Sequence, residues 1–223
     1  QLTGVQEFMG LEFQVNEHVL IPRQDTETLV ELVLSEHKEK NISLLDVCTG
    51  SGCIAISLAK LGGYTDVTAL DVMPTTGADN GLTLADMRDA DYDDPRWEKL
   101  LDQPVKFIKS DMFSALNPEK QYNVIVSNPP YIPSQVIEGL EPEVKDHEPR
   151  MALDGEPDGL KFYRILAEEG KKYLKTGGSN HMEIGWDQAK DVTEIFEAMG
   201  FSGLRTVRDM AGNDRVVCAR KEK

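Results

Sequence analysis

Residues Leu44 to Ile56 read LLDVCTGSGCIAI. The stretch runs from a short apolar segment through a turn of small residues, Cys48 to Gly52, into a second apolar segment. That order predicts strand, tight turn and helix, with the helix N-terminus and the glycines free to approach a ligand closely. One such turn does not fix a fold, but its surroundings do. SLLDV (Ser43–Val47), DVTALD (Asp66–Asp71), VKFIKSD (Val105–Asp111) and YNVIVSN (Tyr122–Asn128) read as strands. GCIAISLAKLG (Gly52–Gly62), GLKFYRILAEEGKKYLK (Gly159–Lys175, stopping at Gly177-Gly178) and AKDVTEIFEAMG (Ala189–Gly200) read as helices. Continuously apolar strands separated by helices call for an α/β, doubly wound, mostly parallel sheet covered on both faces.

The ends of the chain complete that picture. QEFMGLEFQV (Gln6–Val15) alternates apolar and polar residues about Met9-Gly10, which predicts a short β-hairpin ahead of the main body. DTETLVELVLSEHKEK (Asp25–Lys40) follows with helical spacing of Leu29, Leu32 and Val33, and with Asp25 or Thr26 as N-cap. SGLRTVRDMAGNDRVVCAR (Ser202–Arg220) holds two strand-like runs about a polar turn and no helix, so one strand near the C-terminus must pair antiparallel. Seven strands result, counting one that ends near Glu183. Residues 1–22 divide off as hairpin and linker, and residues 23–223 as a catalytic domain. Asp71 to Trp97 fits poorly: seven aspartates, two prolines and two glycines stand where a crossover helix belongs, and only Leu82 to Met87 has helical character. The segment is expected to be an irregular, mobile loop.

Composition narrows the function. Lys plus Arg number 24 against 39 Asp plus Glu, a formal charge of -15, so the average field repels phosphate backbones and disfavours extended nucleic-acid binding. Three cysteines, Cys48, Cys53 and Cys218, are odd in number and lack zinc spacing, as expected of reduced thiols in a cytoplasmic protein. His18, His37, His147 and His181 share no metal-like spacing, so no metal site is expected. No apolar run is long enough to span a bilayer.

The chemistry gathers where strands end. The Gly-rich turn follows the first strand of the body, Asp71 closes the next about twenty residues on, Asp111 closes the third and Asn128 the fourth. An acid at the second position can accept bonds from a ribose diol, and carboxyl ends are where ligands of open α/β sheets bind. The fourth strand stops abruptly at NPPY (Asn128–Tyr131). Pro129 and Pro130 have no backbone donor and fixed φ, so the ladder ends and leaves a rigid set of acceptors at the strand's carboxyl end.

DVCTGSG, LD, SDMF and NPPY together resemble class I S-adenosylmethionine-dependent methyltransferases. NPPY is similar to the tetrads of enzymes that methylate conjugated amino groups. FQVNEHVLIPRQDTETLVE, HEPRMALDGEPDGLKFYRIL, MEIGWDQ and RDMAGNDRVV look like the peptide chain release factor glutamine methyltransferases, the HemK or PrmC type. The resemblance runs from Glu7 to Val217 with Val72 to Trp97 as its gap. It implies S-adenosylmethionine as cofactor, with Cys48, Thr49, Gly50, Ser51 and Gly52 at its methionine end, Asp71 at the ribose, and Asp111 with Met112 at the adenine. Asn128, Pro129, Pro130 and Tyr131 would hold the acceptor glutamine. Cys48 stands where glycine is commoner. The implied partners are bacterial class-one release factors, met by a monomer. The family's N-terminal helical substrate domain is expected to be absent from this chain.

An amide nitrogen is a poor nucleophile because its lone pair is delocalised. If the Asn128 side-chain oxygen and the Pro129 carbonyl accept both N–H bonds of the target, the lone pair can be aimed at the methyl carbon, and Tyr131 can cover the acceptor and the sulfonium. Arg23 and Glu27 read as structural or lid contacts, and Glu183 as support from behind the site. The polarity of GSNHMEI (Gly178–Ile184) is unusual for a central strand. The core motifs alone leave open a ribosomal-protein glutamine or a nucleobase amine as acceptor, and a cofactor-binding module without catalysis.

Overall fold

A computed structural model describes residues 4–15, 20–72, 75–76, 82–83, 105–145 and 148–222. β1 (Val5–Phe8) and β2 (Leu11–Gln14) form the expected hairpin, turning at Met9 and Gly10, which both have positive φ. Phe8 and Phe13 are buried in the same core as α1 (Gln24–Glu36), and Glu27 accepts the Met9 amide at 2.6 Å. The hairpin is thus packed on the body of the domain.

The body alternates β3 (Ser43–Val47), α2 (Cys53–Gly62) and β4 (Asp66–Asp71), followed by a minimal antiparallel pair, β5 (Thr75–Thr76) and β6 (Leu82–Thr83). Leu82 and Thr83 are therefore extended and not the start of a helix. The rest of the expected irregular, mobile segment lies outside the described residues. Then come β7 (Val105–Lys109) and β8 (Tyr122–Ser127), and the one-turn helices α3 (Ser134–Ile137), α4 (Pro142–Lys145) and α5 (Arg150–Leu153). The chain closes with α6 (Lys161–Glu168), α7 (Gly170–Tyr173), β9 (Leu174–Glu183), α8 (Ala189–Ala198), β10 (Phe201–Arg208) and β11 (Asp214–Lys221).

Seven strands make one sheet in the order β10-β11-β9-β8-β3-β4-β7. Every pair from β9 to β7 is parallel, and β11 runs antiparallel to both neighbours. Strand order reverses between β3 and β8, which opens a crevice at their carboxyl ends. Leu44, Val124 and Val126 point to one face under α1 and α2, while Leu45, Val47 and Ile125 point to the other under α6 and α8. Both faces are covered, and so these strands are apolar throughout.

Three local expectations need correction. α1 ends at Glu36, four residues before Lys40, where the His37 amide closes on the Val33 carbonyl. Its N-cap is Arg23, with Thr26 already inside the first turn. The helix expected to reach Lys175 stops at Tyr173, because Leu174 is buried and pairs with Tyr122 as the first residue of β9. Gly177, at φ 75°, serves a register shift inside that strand and not a helix end.

β9 is polar for a reason the sequence hides. Ser179, His181 and Glu183 share its α1-facing side, in register with Val124 and Val126 of β8. His37, just past the end of α1, meets Ser179 and His181, whereas Thr26 in its first turn meets Glu183.

Candidate active site

The turn after β3 is built around the buried Asp46. One carboxylate oxygen accepts the Thr49 hydroxyl at 2.6 Å and the Ala55 amide at 3.2 Å, tying the turn to the first turn of α2. Burial pushes this carboxyl up to about 7, against the pull of those two hydrogen bonds. Gly52 has φ 81°, where a side chain is strained, and a Cβ there would crowd the Phe107 ring at 3.0 Å. Cys48 has φ 61°, so the backbone is left-handed here and a cysteine bears the strain.

The neighbouring strand ends are fastened to this turn. Thr49 donates to the Leu70 carbonyl at 2.9 Å, and Gly50 donates to Asp71 Oδ2 at 2.9 Å. After β7, the Ser110 amide donates to the Asp71 carbonyl at 2.8 Å, and its hydroxyl donates to Met112 O at 2.7 Å while accepting from Ala115 N at 3.0 Å. Met112 is thereby held at φ 46°, with its sulfur 3.7 Å from the Cys48 thiol. Two strained non-glycine residues meet at one spot, as happens where neighbouring structure is organised around a site.

After β8, Asn128 donates its amide nitrogen to Thr26 Oγ1 at 3.3 Å. Glu183, which ends β9 beside Thr26 and Asn128, is buried, and burial pushes its carboxyl up to about 7 against the pull of those neighbours. The chain beyond Asn128 is clamped from outside. Gln188 donates to the Tyr131 carbonyl at 2.9 Å and to Gly159 O at 3.3 Å, while its own oxygen accepts Gly185 N at 2.9 Å. Ile132 exchanges backbone bonds with Leu153 and Gly155 at 3.0 and 2.9 Å. The DGEPDG and EIGWDQ segments, far apart in sequence, therefore both serve to fix NPPY.

These pieces surround one cavity of about 500 Å³, within the range of small-molecule sites. Cys48, Thr49, Gly50, Ser51, Asp71, Asp111, Met112, Asn128 and Pro130 line it. Gly52, Pro129 and Tyr131 do not lie on its wall; Tyr131 is half-buried against the core under α6. The rest of the wall was anticipated only in Arg23, read from the sequence as a structural or lid contact. It comes from Ile21, Arg23 and Thr26 before and within α1, and from Met151, Phe162 and Ile165. Thr26 and Phe162 carry ordinary helix-face signals, so only the fold reveals them. Arg23 bonds the buried Glu148 at 2.6 Å, joining the two parts of that wall.

Elsewhere, folding brings together two histidines that sequence spacing kept apart. Ligating atoms of Glu36, His37 and His181 all lie within 4.8 Å of one another. They have partners already: Arg205 pairs with Glu36, and His181 meets Ser179 at 3.0 Å and Cys218 at 3.5 Å. Burial, with His37 and the arginines Arg205 and Arg220 nearby, lowers His181 to about 3. His18 and His147 lie outside the described residues. No helix among the described residues is long and apolar enough to cross a membrane.

Comparison with known proteins agrees with this geometry. Residues 24–139 match the methyltransferase small domain family. The chain is 40% identical to the release factor glutamine methyltransferase of Clostridium botulinum, over 99% of this chain and 74% of that protein. It is also 40% identical to the protein of that name from Geobacter sulfurreducens, over 98% and 72%. Among solved structures, it is similar to the release-factor-specific protein-(glutamine-N5) methyltransferase of Alicyclobacillus acidocaldarius, at 30% identity and TM-score 0.51, covering 91% of this chain and 95% of that one. A Pyrococcus furiosus methyltransferase, 18% identical with TM-score 0.63 over 97% and 91%, shares the fold. A crevice at the strand reversal, an acid-anchored Gly-rich turn and NPPY thus occur in a sequence close to these relatives along almost its whole length, and the chain belongs to the release factor glutamine methyltransferase family.

Proposed function

We propose that this protein transfers the methyl group of S-adenosylmethionine to the side-chain amide nitrogen of a glutamine in bacterial class-one release factors, in the Gly-Gly-Gln loop. A cytoplasmic location goes with that substrate. Family membership supports the reaction and the acceptor class. The donor set suits the cofactor: Cys48–Ser51 line the cavity beside α2, Asp71 supplies a carboxylate for a ribose diol, and Met112 offers an apolar surface to a flat ring. S-adenosylmethionine supplies an electrophilic methyl carbon on a sulfonium.

The chain's own part is positioning. Asn128 Oδ1, on the cavity wall, accepts an N–H bond of the acceptor amide, so the nitrogen lone pair faces the methyl carbon. The new C–N bond replaces the C–S bond, and the nitrogen, acidic once alkylated, loses its proton to water. Positive charge growing on nitrogen is met by dipoles already in place. One observation carries this reading above the others: the Asn128 amide nitrogen is tied to Thr26 at 3.3 Å, which leaves the oxygen to serve the cavity. The test is incubation with release factor and methyl-labelled S-adenosylmethionine. Label on the Gly-Gly-Gln glutamine is expected, and a protein left unlabelled would remove the proposal.

A further inference from the structure

We propose that Trp186 and Met210 are the docking points for the release factor whose glutamine enters the cavity. The proposal rests on the substrate given under the proposed function. A glutamine side chain is short, two methylenes and an amide, so the backbone that carries it must come to the cavity mouth. The folded protein around that backbone then covers the rim, and the rim has to offer it a surface.

Exposed apolar side chains gather on that rim. Among the described residues six large ones stand in solvent: Leu61, Val136, Met151, Trp186, Met199 and Met210. Met151 lines the cavity itself, and Val136 stands in α3, shortly after NPPY. Trp186 follows the end of β9, and Met210 follows the end of β10. β8, β9 and β10 all run the same way, since β8 is parallel to β9 and β11 is antiparallel to both β9 and β10. Trp186 and Met210 therefore stand at the carboxyl edge of the sheet, the edge that holds the cavity. Leu61 and Met199, where α2 and α8 end and lead into β4 and β10, lie at the opposite edge. Single exposed apolar residues are ordinary, whereas a group of them around a cavity mouth marks a surface that another molecule covers.

Both side chains are held out on fixed turns that are tied to the cavity wall. In the first, Gln188 N donates to Gly185 O at 3.0 Å, Gly185 N donates to Gln188 Oε1 at 2.9 Å, and Gln188 Nε2 grips the Tyr131 carbonyl at 2.9 Å. Trp186 thus sits in the clamp of NPPY. In the second, Asp209 accepts Gly212 N on its carbonyl and Asn213 N on its carboxylate, each at 3.0 Å. Arg215 then joins Asp209 at 3.0 Å to Asp25 at 3.1 Å, in the first turn of α1 beside Arg23 and Thr26 of the wall. Trp186 is 68% exposed and Met210 fully so, which leaves packing little use for either. Tryptophan often dominates the binding energy of an interface, and a side chain already on a rigid turn loses little freedom on binding.

The experiment compares wild type, Trp186→Ser, Met210→Ser, the double variant and Leu61→Ser as a control at the opposite edge. Calorimetry gives the Kd for release factor with S-adenosylhomocysteine bound, and initial rates give KM and kcat. The same rates are taken on a short peptide centred on Gly-Gly-Gln, which enters the cavity without covering the rim. Each single variant is expected to raise Kd and KM for release factor at least about fivefold and the double variant at least about thirtyfold, the scale of interface anchors. kcat at saturating release factor, rates on the peptide and every constant of Leu61→Ser are expected within about threefold of wild type. A double variant that binds release factor as tightly as wild type would overturn the proposal. So would peptide rates that fall in parallel with those on release factor, because Trp186 would then act through NPPY. Sedimentation that shows a wild-type dimer and a monomeric double variant would assign the rim to a second copy and overturn it as well. Wild type that binds release factor without methylating it would sink the proposed substrate reaction, while the Kd comparison still decides the rim; wild type that does not bind release factor overturns the docking proposal outright.

Discussion

The Gly50 amide nitrogen lies 2.9 Å from Oδ2 of Asp71, so the carboxylate that ends β4 also holds the turn after β3. Asp71→Ala removes both that restraint and the proposed ribose contact. Its expected effect is a loss of about 1.5–3 kcal/mol in S-adenosylmethionine affinity, the scale of charge-assisted hydrogen bonds. Asp71→Asn keeps an acceptor for Gly50 and should lose less. Calorimetry separates the two, and an unchanged affinity in the alanine variant would put the cofactor elsewhere.

Cys48 sits at φ 61°, where a side chain costs about 1–2 kcal/mol. Cys48→Gly should therefore be neutral or stabilising despite losing the Met112 contact. Cys48→Val, β-branched at the same dihedral, should destabilise by at least about 1 kcal/mol. Urea unfolding of both variants checks the difference in sign.

Gly159 has φ 72°, and a Cβ there would lie 2.3 Å from the Tyr131 carbonyl oxygen. That carbonyl is the one Gln188 holds. Gly159→Ala is expected to displace NPPY, lowering turnover at least about tenfold through lost positioning, with cofactor affinity changed much less. Equal turnover of variant and wild type would show that the clamp is dispensable.

Asp46 and Glu183 are both raised to about 7 by burial, above their values in an unfolded chain, near 4. The native state therefore binds these protons more tightly than the unfolded state. Below about pH 4 both states are protonated; between about 4 and 7 the two groups subtract stability as pH rises, and above about 7 their loss is complete. Asp46→Asn, which cannot ionise, should flatten that part of the stability profile relative to wild type. Chemical unfolding from pH 4 to 8 reads it, and parallel profiles would contradict the assignment.

Much of this was legible because it is local. The period of apolar residues gave β3, α2, β4 and β8, and strand-ending residues gave one side of the cavity, from Cys48 through Asp71 and Met112 to Asn128. What stayed hidden depends on long-range registration. Ser179, His181 and Glu183 look misplaced in a central strand until α1 is laid across them, with Thr26 meeting one end and His37 the other. Tyr131 reads as a cover for the acceptor, yet its backbone is what the fold grips, through Gln188 and Gly159. The strand start at Leu174 was masked by good helix formers before it, and its pairing with Tyr122 overrode them.

The central claim is that Asn128 positions a release factor glutamine for methylation. It is tested most directly by locating and quantifying the methyl group by mass spectrometry, after parallel reactions of wild type and Asn128→Ala with release factor and S-adenosylmethionine. The expected result is a methyl group on the Gly-Gly-Gln glutamine with wild type and at least about a hundredfold slower transfer with Asn128→Ala, at cofactor affinity within a few fold. Methylation of that glutamine at equal rates by the two proteins would show that Asn128 merely ends a strand.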